Sequence, residues 1–212
     1  MSHVRHPMFA RLYPPLSRSM DRHGFAEQRQ RMLAPTSGRV VEVGAGNGLN
    51  FAHYPAGVSE VVAVEPEDHL RDLARAAASL AAVPVDVVDG VAEALPFPDA
   101  SFDAAVASLV LCSVEEPVQA AAELLRVLRP GGLLVFLEHV SSDSPARRRV
   151  QRGLDAVLWP HVAGGCRLSR DTMGTLSDAG FVVEERHRLG SGGLGFLDPT
   201  APHVSGAARR PA

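Results

Sequence analysis

The chain has 212 residues, 46% hydrophobic and 21% charged, with a formal net charge of −3. That is one domain's worth of chain with a substantial core, and the balance excludes both a disordered polymer and a broad nucleic-acid face. Cys112 and Cys166 lie far apart without metal-ligand spacing, so neither a disulfide framework nor a metal is expected.

Residues 1–37 read as a helical cap ahead of a single globular unit, 38–212. Pro14-Pro15 divides a short segment, 6–13, from a longer one, 17–33, where Ser17 is placed to cap and Met20, Phe25, Met32 and Leu33 recur at loosely helical spacing. Such a pair either closes over a ligand, with Tyr13 and Met20 as lid residues, or packs on the sheet edge.

From Arg39 strand and helix patterns alternate, which predicts an α/β fold. The expected sheet is Rossmann-like, doubly wound and seven-stranded, mostly parallel with one antiparallel strand. Strands are predicted over 39–43, 61–64, 83–88, 101–109, 133–137 and 181–188, with 203–209 returning antiparallel at the edge. Helices are predicted over 49–53, 67–80, 115–128, 144–159 and 170–179, the last closed by Gly180. Arg129-Pro130-Gly131-Gly132 stops the fourth-strand helix, and 190–195 is a glycine-rich loop. No apolar run is long enough to span a bilayer and no leader pattern is visible, so a cytoplasmic location is expected.

The chemistry concentrates in Val40-Val41-Glu42-Val43-Gly44-Ala45-Gly46-Asn47-Gly48. A β-branched run entering closely spaced glycines reads as a buried parallel strand feeding a tight loop, where backbone can touch a ligand. Glu65 closes the second strand about twenty residues on, the spacing at which a βαβ unit offers an acid to a ribose. The dinucleotide fingerprint wants its third glycine one place later, where Leu49 stands, so NAD and FAD are disfavoured.

The stretch resembles motif I of the class I S-adenosyl-L-methionine (SAM) methyltransferases. Glu93-Ala94-Leu95-Pro96-Phe97, Ser101-Phe102-Asp103 and Leu125-Arg126-Val127-Leu128-Arg129-Pro130-Gly131-Gly132 are similar to the methyltransferase type-11 group, over roughly residues 36–140. Further pieces resemble its small-molecule thiol S-methyltransferases: Leu109-Val110-Leu111-Cys112-Ser113-Val114, Leu137-Glu138-His139-Val140, Trp159, Gly165-Cys166-Arg167-Leu168-Ser169-Arg170 and Pro202-His203-Val204. The resemblance implies SAM as methyl donor and S-adenosyl-L-homocysteine as product. It implies a small-molecule acceptor, with a thiol leading. An N- or O-methyltransferase of a lipid or quinone-type metabolite is the rival enzyme, and a SAM-binding protein without turnover the rival from another class.

On this resemblance Gly44, Ala45, Gly46, Gly48 and Asn50 shape the methionine end, and Glu42 either helps hold the ammonium or tethers a loop. Glu65 accepts from the ribose, Pro66 lies on adenine, and Val91 and Ala92 hold adenine by backbone and packing. The group often has Gly-Asp-Ala where this chain has Gly90-Val91-Ala92, with Asp89 two residues early. Ser108 and Leu109 line the transfer side. Strand four lacks the Asp/Asn-Pro-Pro-Tyr of base methyltransferases, and Cys112 lacks the preceding proline of a cytosine-directed nucleophile; it reads as a buried small hydrophobe. His139 is either a general base or a structural histidine. Tyr13, Trp159 and His161 are candidate substrate-pocket residues. The arginines at 147–149 with Arg152 form a basic helix face, solvated or turned to an acidic substrate.

Overall fold

The computed structural model describes residues 6–189 and 202–212. The glycine-rich loop over 190–195 lies outside them. Two helices come first, α1 (Pro7–Met20) and α2 (Ala26–Leu33). The proline pair does not divide them: α1 runs through Pro14 and Pro15, and Ser17, rather than capping, is buried inside it and donates to the Pro14 carbonyl at 3.2 Å. The helix survives two missing N–H donors because Ala10, Pro14 and Ser17, one face at helical spacing, are buried. The break falls at Gly24, whose φ of +105° suits glycine alone.

The sheet strands are β1 (Gly38–Val43), β2 (Val58–Val64), β3 (Val85–Val88), β4 (Phe102–Ser108), β5 (Leu128–His139), β6 (Val182–Leu189) and β7 (His203–Arg209), in the spatial order β3-β2-β1-β4-β5-β7-β6. The first five are parallel neighbours, and β7 is antiparallel to both β5 and β6. The antiparallel return is as expected, but β7 inserts inside the sheet and β6 is the edge. Burial explains that order. Val204 and Ala208 of β7 are core residues, whereas most of β6 is exposed and charged, as an edge must be to resist pairing with another chain.

Helices α3 (Asp68–Ala78), α4 (Pro117–Val127), α5 (Pro145–Val157), α6 (Trp159–Val162) and α7 (Thr172–Asp178) complete the fold. The helix expected over 49–53 is one short turn, Phe51–His53, cut off by extended Tyr54 and Pro55. Neighbouring residues of β1 serve opposite faces. Val41 and Val43 pack with α4 and α7, while Val40 packs with α2 and α3. No described helix is long and apolar enough to cross a membrane. Strand order reverses between β1 and β4, so a crevice opens at their carboxyl ends, where doubly wound sheets take ligands.

Candidate active site

Backbone geometry builds the crevice first. Gly44 and Gly46 carry φ of +59° and +58°. A Cβ on Gly44 would sit 2.5 Å from Val110, and one on Gly46 would meet the Tyr13 ring at 3.2 Å. The loop is therefore stripped of side chains where it faces its neighbours. Glu65 reaches back across it: Oε2 accepts from the Gly46 amide at 2.7 Å and Oε1 from the Glu67 amide at 3.0 Å. Burial pushes its carboxyl up, while the two amides pull it down. Each oxygen keeps a further lone pair, enough for a diol.

Arg71 of α3 fixes this corner. Its Nη1 donates to the carbonyls of Glu65 and Pro66 at 2.9 and 3.0 Å and to Asp89 at 3.1 Å. Asp89 is thus engaged by an arginine at the end of β3. Beyond it Val91 bridges to Ala94, and Ala92 is buried. Gly44, Ala45, Gly46, Gly48, Glu65, Pro66, Val91 and Ala92 accordingly gather at the ends of β1, β2 and β3, and Ser108 and Leu109 at the end of β4. Leu109 has φ of +61°, uncommon for a side chain without a local hydrogen bond to offer, and its amide is tied to the Leu137 carbonyl at 2.7 Å.

Beneath the loop runs a buried polar chain. Glu42 accepts from Asn50 Nδ2 at 2.7 Å and from the Tyr54 hydroxyl at 2.6 Å, which makes it a tether for the turn after the glycines. Burial raises its carboxyl to about 7, against those two hydrogen bonds. Asn50 Oδ1 in turn accepts from Arg29 Nη1 at 2.9 Å. Arg29 also donates to Ser108 Oγ at 3.3 Å and to Asp21 at 3.0 Å, and only 4% of it is exposed. One arginine therefore joins α2, the glycine turn and β4. Tyr13 faces it; burial raises that phenol and Arg29 opposes the rise. Asn47 donates to Ser17 at 3.2 Å, a second tie between cap and loop. Arg29, Arg71 and Tyr54 carry no sequence signal, because an arginine or tyrosine in an amphipathic stretch reads as solvated or core until its neighbours are known.

At the ends of β4 and β5 the side chains change character. Glu138 is fully buried and accepts from the amides of Val110, Leu111 and Cys112 at 3.0, 2.9 and 3.0 Å. His139 Nδ1 lies 3.5 Å from Cys112 Sγ and 3.4 Å from Cys166 Sγ, and the two sulfurs are 3.7 Å apart. The contact with Cys166, with burial, pushes the Cys112 thiol up to about 12. That same contact, aided by the Trp159 indole, lowers Cys166. The fold thus unites cysteines that sequence distance keeps apart, and Cys112 is more than a hydrophobe. Trp159 packs on this cluster, while His161, on the same short helix, is exposed.

A methyltransferase-domain family model matches residues 41–136. The chain is 34% identical to the human thiol S-methyltransferase TMT1B over 83% of its own length and 73% of that protein's. It is 37% identical to a demethylmenaquinone methyltransferase of Clavibacter sepedonicus over 60% and 51% of the two chains. A solved SAM-dependent methyltransferase of Thermotoga maritima shares the fold, with a TM-score of 0.68 at 24% identity over 96% and 98% of the two chains.

Proposed function

Because the chain belongs to the SAM-dependent methyltransferases, in the family that includes the thiol S-methyltransferases, we propose that it methylates a small aliphatic thiol. SAM supplies a methyl group on a sulfonium, already electrophilic. The protein's task is to bind, align and exclude water, and alignment alone is worth roughly 7–11 kcal/mol. In this reading the backbone of Gly44 to Gly46 receives the methionine end, and Glu65 takes the ribose hydroxyls. Pro66, Val91 and Ala92 flank adenine. Ser108, Leu109, Tyr13 and Trp159 wall the transfer side, with helices α1 and α2 as the cap over the donor.

The observation that carries the thiol assignment is the commitment of Glu138. Its two oxygens receive three backbone amides, so this buried carboxyl group between the ends of β4 and β5 is engaged in holding the chain in place. His139 presents Nδ1 to two sulfurs. A hydroxyl or protonated amine needs a dedicated base. A thiol, with a pKa near 8.5, is already a few per cent ionised at neutral pH. The similarity to thiol S-methyltransferases supports the same choice.

A panel of small thiols, amines and phenols with SAM, read by S-adenosylhomocysteine formation, tests this. Thiols should turn over, with kcat/KM rising through the thiol's ionisation. The weaker likenesses to a demethylmenaquinone methyltransferase and a phosphatidylethanolamine N-methyltransferase make N- or O-methylation of a quinone-type or lipid metabolite the second reading. Turnover of a phenol or amine with thiols inert would establish that reading instead.

A further inference from the structure

We propose that Cys112, His139 and Cys166 form a zinc site at the carboxyl ends of β4 and β5, with a fourth position that takes the acceptor thiolate. The fourth ligand rests on the thiol assignment above; the three protein ligands do not.

Geometry carries it. Zinc–sulfur bonds of about 2.3 Å and zinc–nitrogen bonds of about 2.0–2.1 Å, at tetrahedral angles, put sulfur about 3.8 Å from sulfur and about 3.6 Å from nitrogen. Here the sulfurs are 3.7 Å apart, and Nδ1 lies 3.5 and 3.4 Å from them. The three donor atoms are therefore already spaced as one face of a ligand tetrahedron. All three residues are buried and belong to different parts of the chain. A redox pair alone would need the two sulfurs and leave the imidazole's approach to both of them unexplained.

The fold spends structure on holding them there. Glu138 gathers the amide of Cys112 along with those of Val110 and Leu111, which fixes the bend after β4. Its neighbour His139 packs against the His203 ring, centroids 4.4 Å apart and planes tilted by 41°. Cys166 arrives on a turn that presses against the same bend. The Arg167 amide donates to the Cys112 carbonyl at 2.8 Å, and a Cβ on Gly165 would sit 2.6 Å from the Ser113 carbonyl oxygen. Glycine, with φ of +86°, is what allows that approach. Trp159 packs against the same cluster, and its buried indole Nε1 has no hydrogen-bond acceptor among the described residues.

Donor chemistry narrows the metal. Two thiolates and a neutral imidazole select zinc over magnesium or calcium, and they balance its charge. Three protein ligands with one open position is the composition of catalytic rather than structural zinc. An acceptor thiol entering that position loses its proton to solvent, since a metal-bound thiol is deprotonated. Its sulfur then bonds the methyl carbon as the carbon–sulfonium bond breaks. That electron pair stays on S-adenosylhomocysteine, and the neutral thioether, a poorer ligand, leaves to water.

The test uses the full chain, stripped with a chelator, kept reduced with a phosphine and titrated with Co²⁺ alone. One equivalent should bind with a thiolate-to-cobalt charge-transfer band, and a small aliphatic thiol added without SAM should change the spectrum. Cys112→Ser, Cys166→Ser and His139→Ala should each weaken cobalt by more than the roughly 10–100-fold that loss of an outer partner costs. Retained SAM affinity shows each variant folded. Failure to bind cobalt, binding indifferent to all three substitutions, or a spectrum unmoved by thiols overturns the proposal. So does a Cys112–Cys166 disulfide formed on mild oxidation in a chain that binds no cobalt when reduced. Thiol methylation by metal-free protein would sink the fourth position as the place where the acceptor is activated and leave the acceptor assignment standing. Cobalt binding with every thiol inert would sink the acceptor assignment and, with it, the fourth position.

Discussion

Glu65→Gln removes a charge while keeping a shape, so it isolates what the acid contributes. In the parent the two oxygens hold the Gly46 and Glu67 amides at 2.7 and 3.0 Å, with one lone pair on each left for the ribose. Glutamine offers one oxygen and one NH₂, so one amide loses its acceptor and one ribose hydroxyl faces a donor. Hydrogen bonds to a charged group are worth about 1.5–3 kcal/mol net, which predicts SAM binding about 10–150-fold weaker. The orphaned amide costs about 1–3 kcal/mol of stability as well, so the melting temperature should fall while the chain stays folded at the assay temperature. Isothermal titration with SAM reads the first effect and calorimetric melting the second. A dissociation constant within twofold of the parent would refute the ribose role. Tight binding of NAD by the parent would refute the choice of nucleotide.

Deleting residues 1–20 should leave the sheet folded, because Met32 and Leu33 of α2 pack in the core and are retained. SAM should bind about tenfold more weakly for want of the Tyr13 and Ser17 contacts to the loop. Equal affinity in the folded truncation would make α1 mere packing. Glu42→Gln addresses pH. The buried carboxyl sits at about 7 against its usual 4.5, so below pH 4.5 it is protonated in both folded and unfolded chains and costs nothing. As pH rises to 7 the unfolded chain ionises first, and about 3 kcal/mol of stability is lost, at 1.36 kcal/mol per unit. The glutamine variant should escape that loss, gaining on the parent from pH 5 to pH 8. Melting curves that stay parallel across this range would contradict the assignment.

What was legible in the chain, and what was not, follows from the range of the interactions involved. Val40 to Gly48 and Glu65 were legible because strand, turn and acid sit within one βαβ unit. Their meaning depends on residues a few places apart, and the structure joins Glu65 to Gly46 directly. The helix through Pro14 and Pro15 was not. The proline rule is local, whereas the buried face at Ala10, Pro14 and Ser17 is a tertiary fact. For the same reason 203–209 was readable as an antiparallel strand but not as an interior one. Which strand is the edge depends on what β6 leaves exposed.

The site divides the same way. Glu42 allowed two readings, and only its partners Asn50 and Tyr54 assign it to the loop. Arg29 reaches Asn50, 21 residues away, and Ser108, 79 residues away. The three donors Cys112, His139 and Cys166 are 27 residues apart in each step. That is no ligand spacing within a loop. It becomes one only because β4 and β5 are parallel neighbours whose ends meet, and because the turn at Gly165 folds back on the first of them.

The most direct test of the whole account is a single turnover with methyl-labelled SAM, the enzyme in excess and one simple aliphatic thiol, read by mass spectrometry of the product. The account predicts the label on sulfur as a methyl thioether, one per SAM consumed, at a rate that climbs with thiolate concentration. Labelled SAM recovered intact beside unchanged thiol, from protein that binds SAM and methylates a phenol or amine, would contradict it.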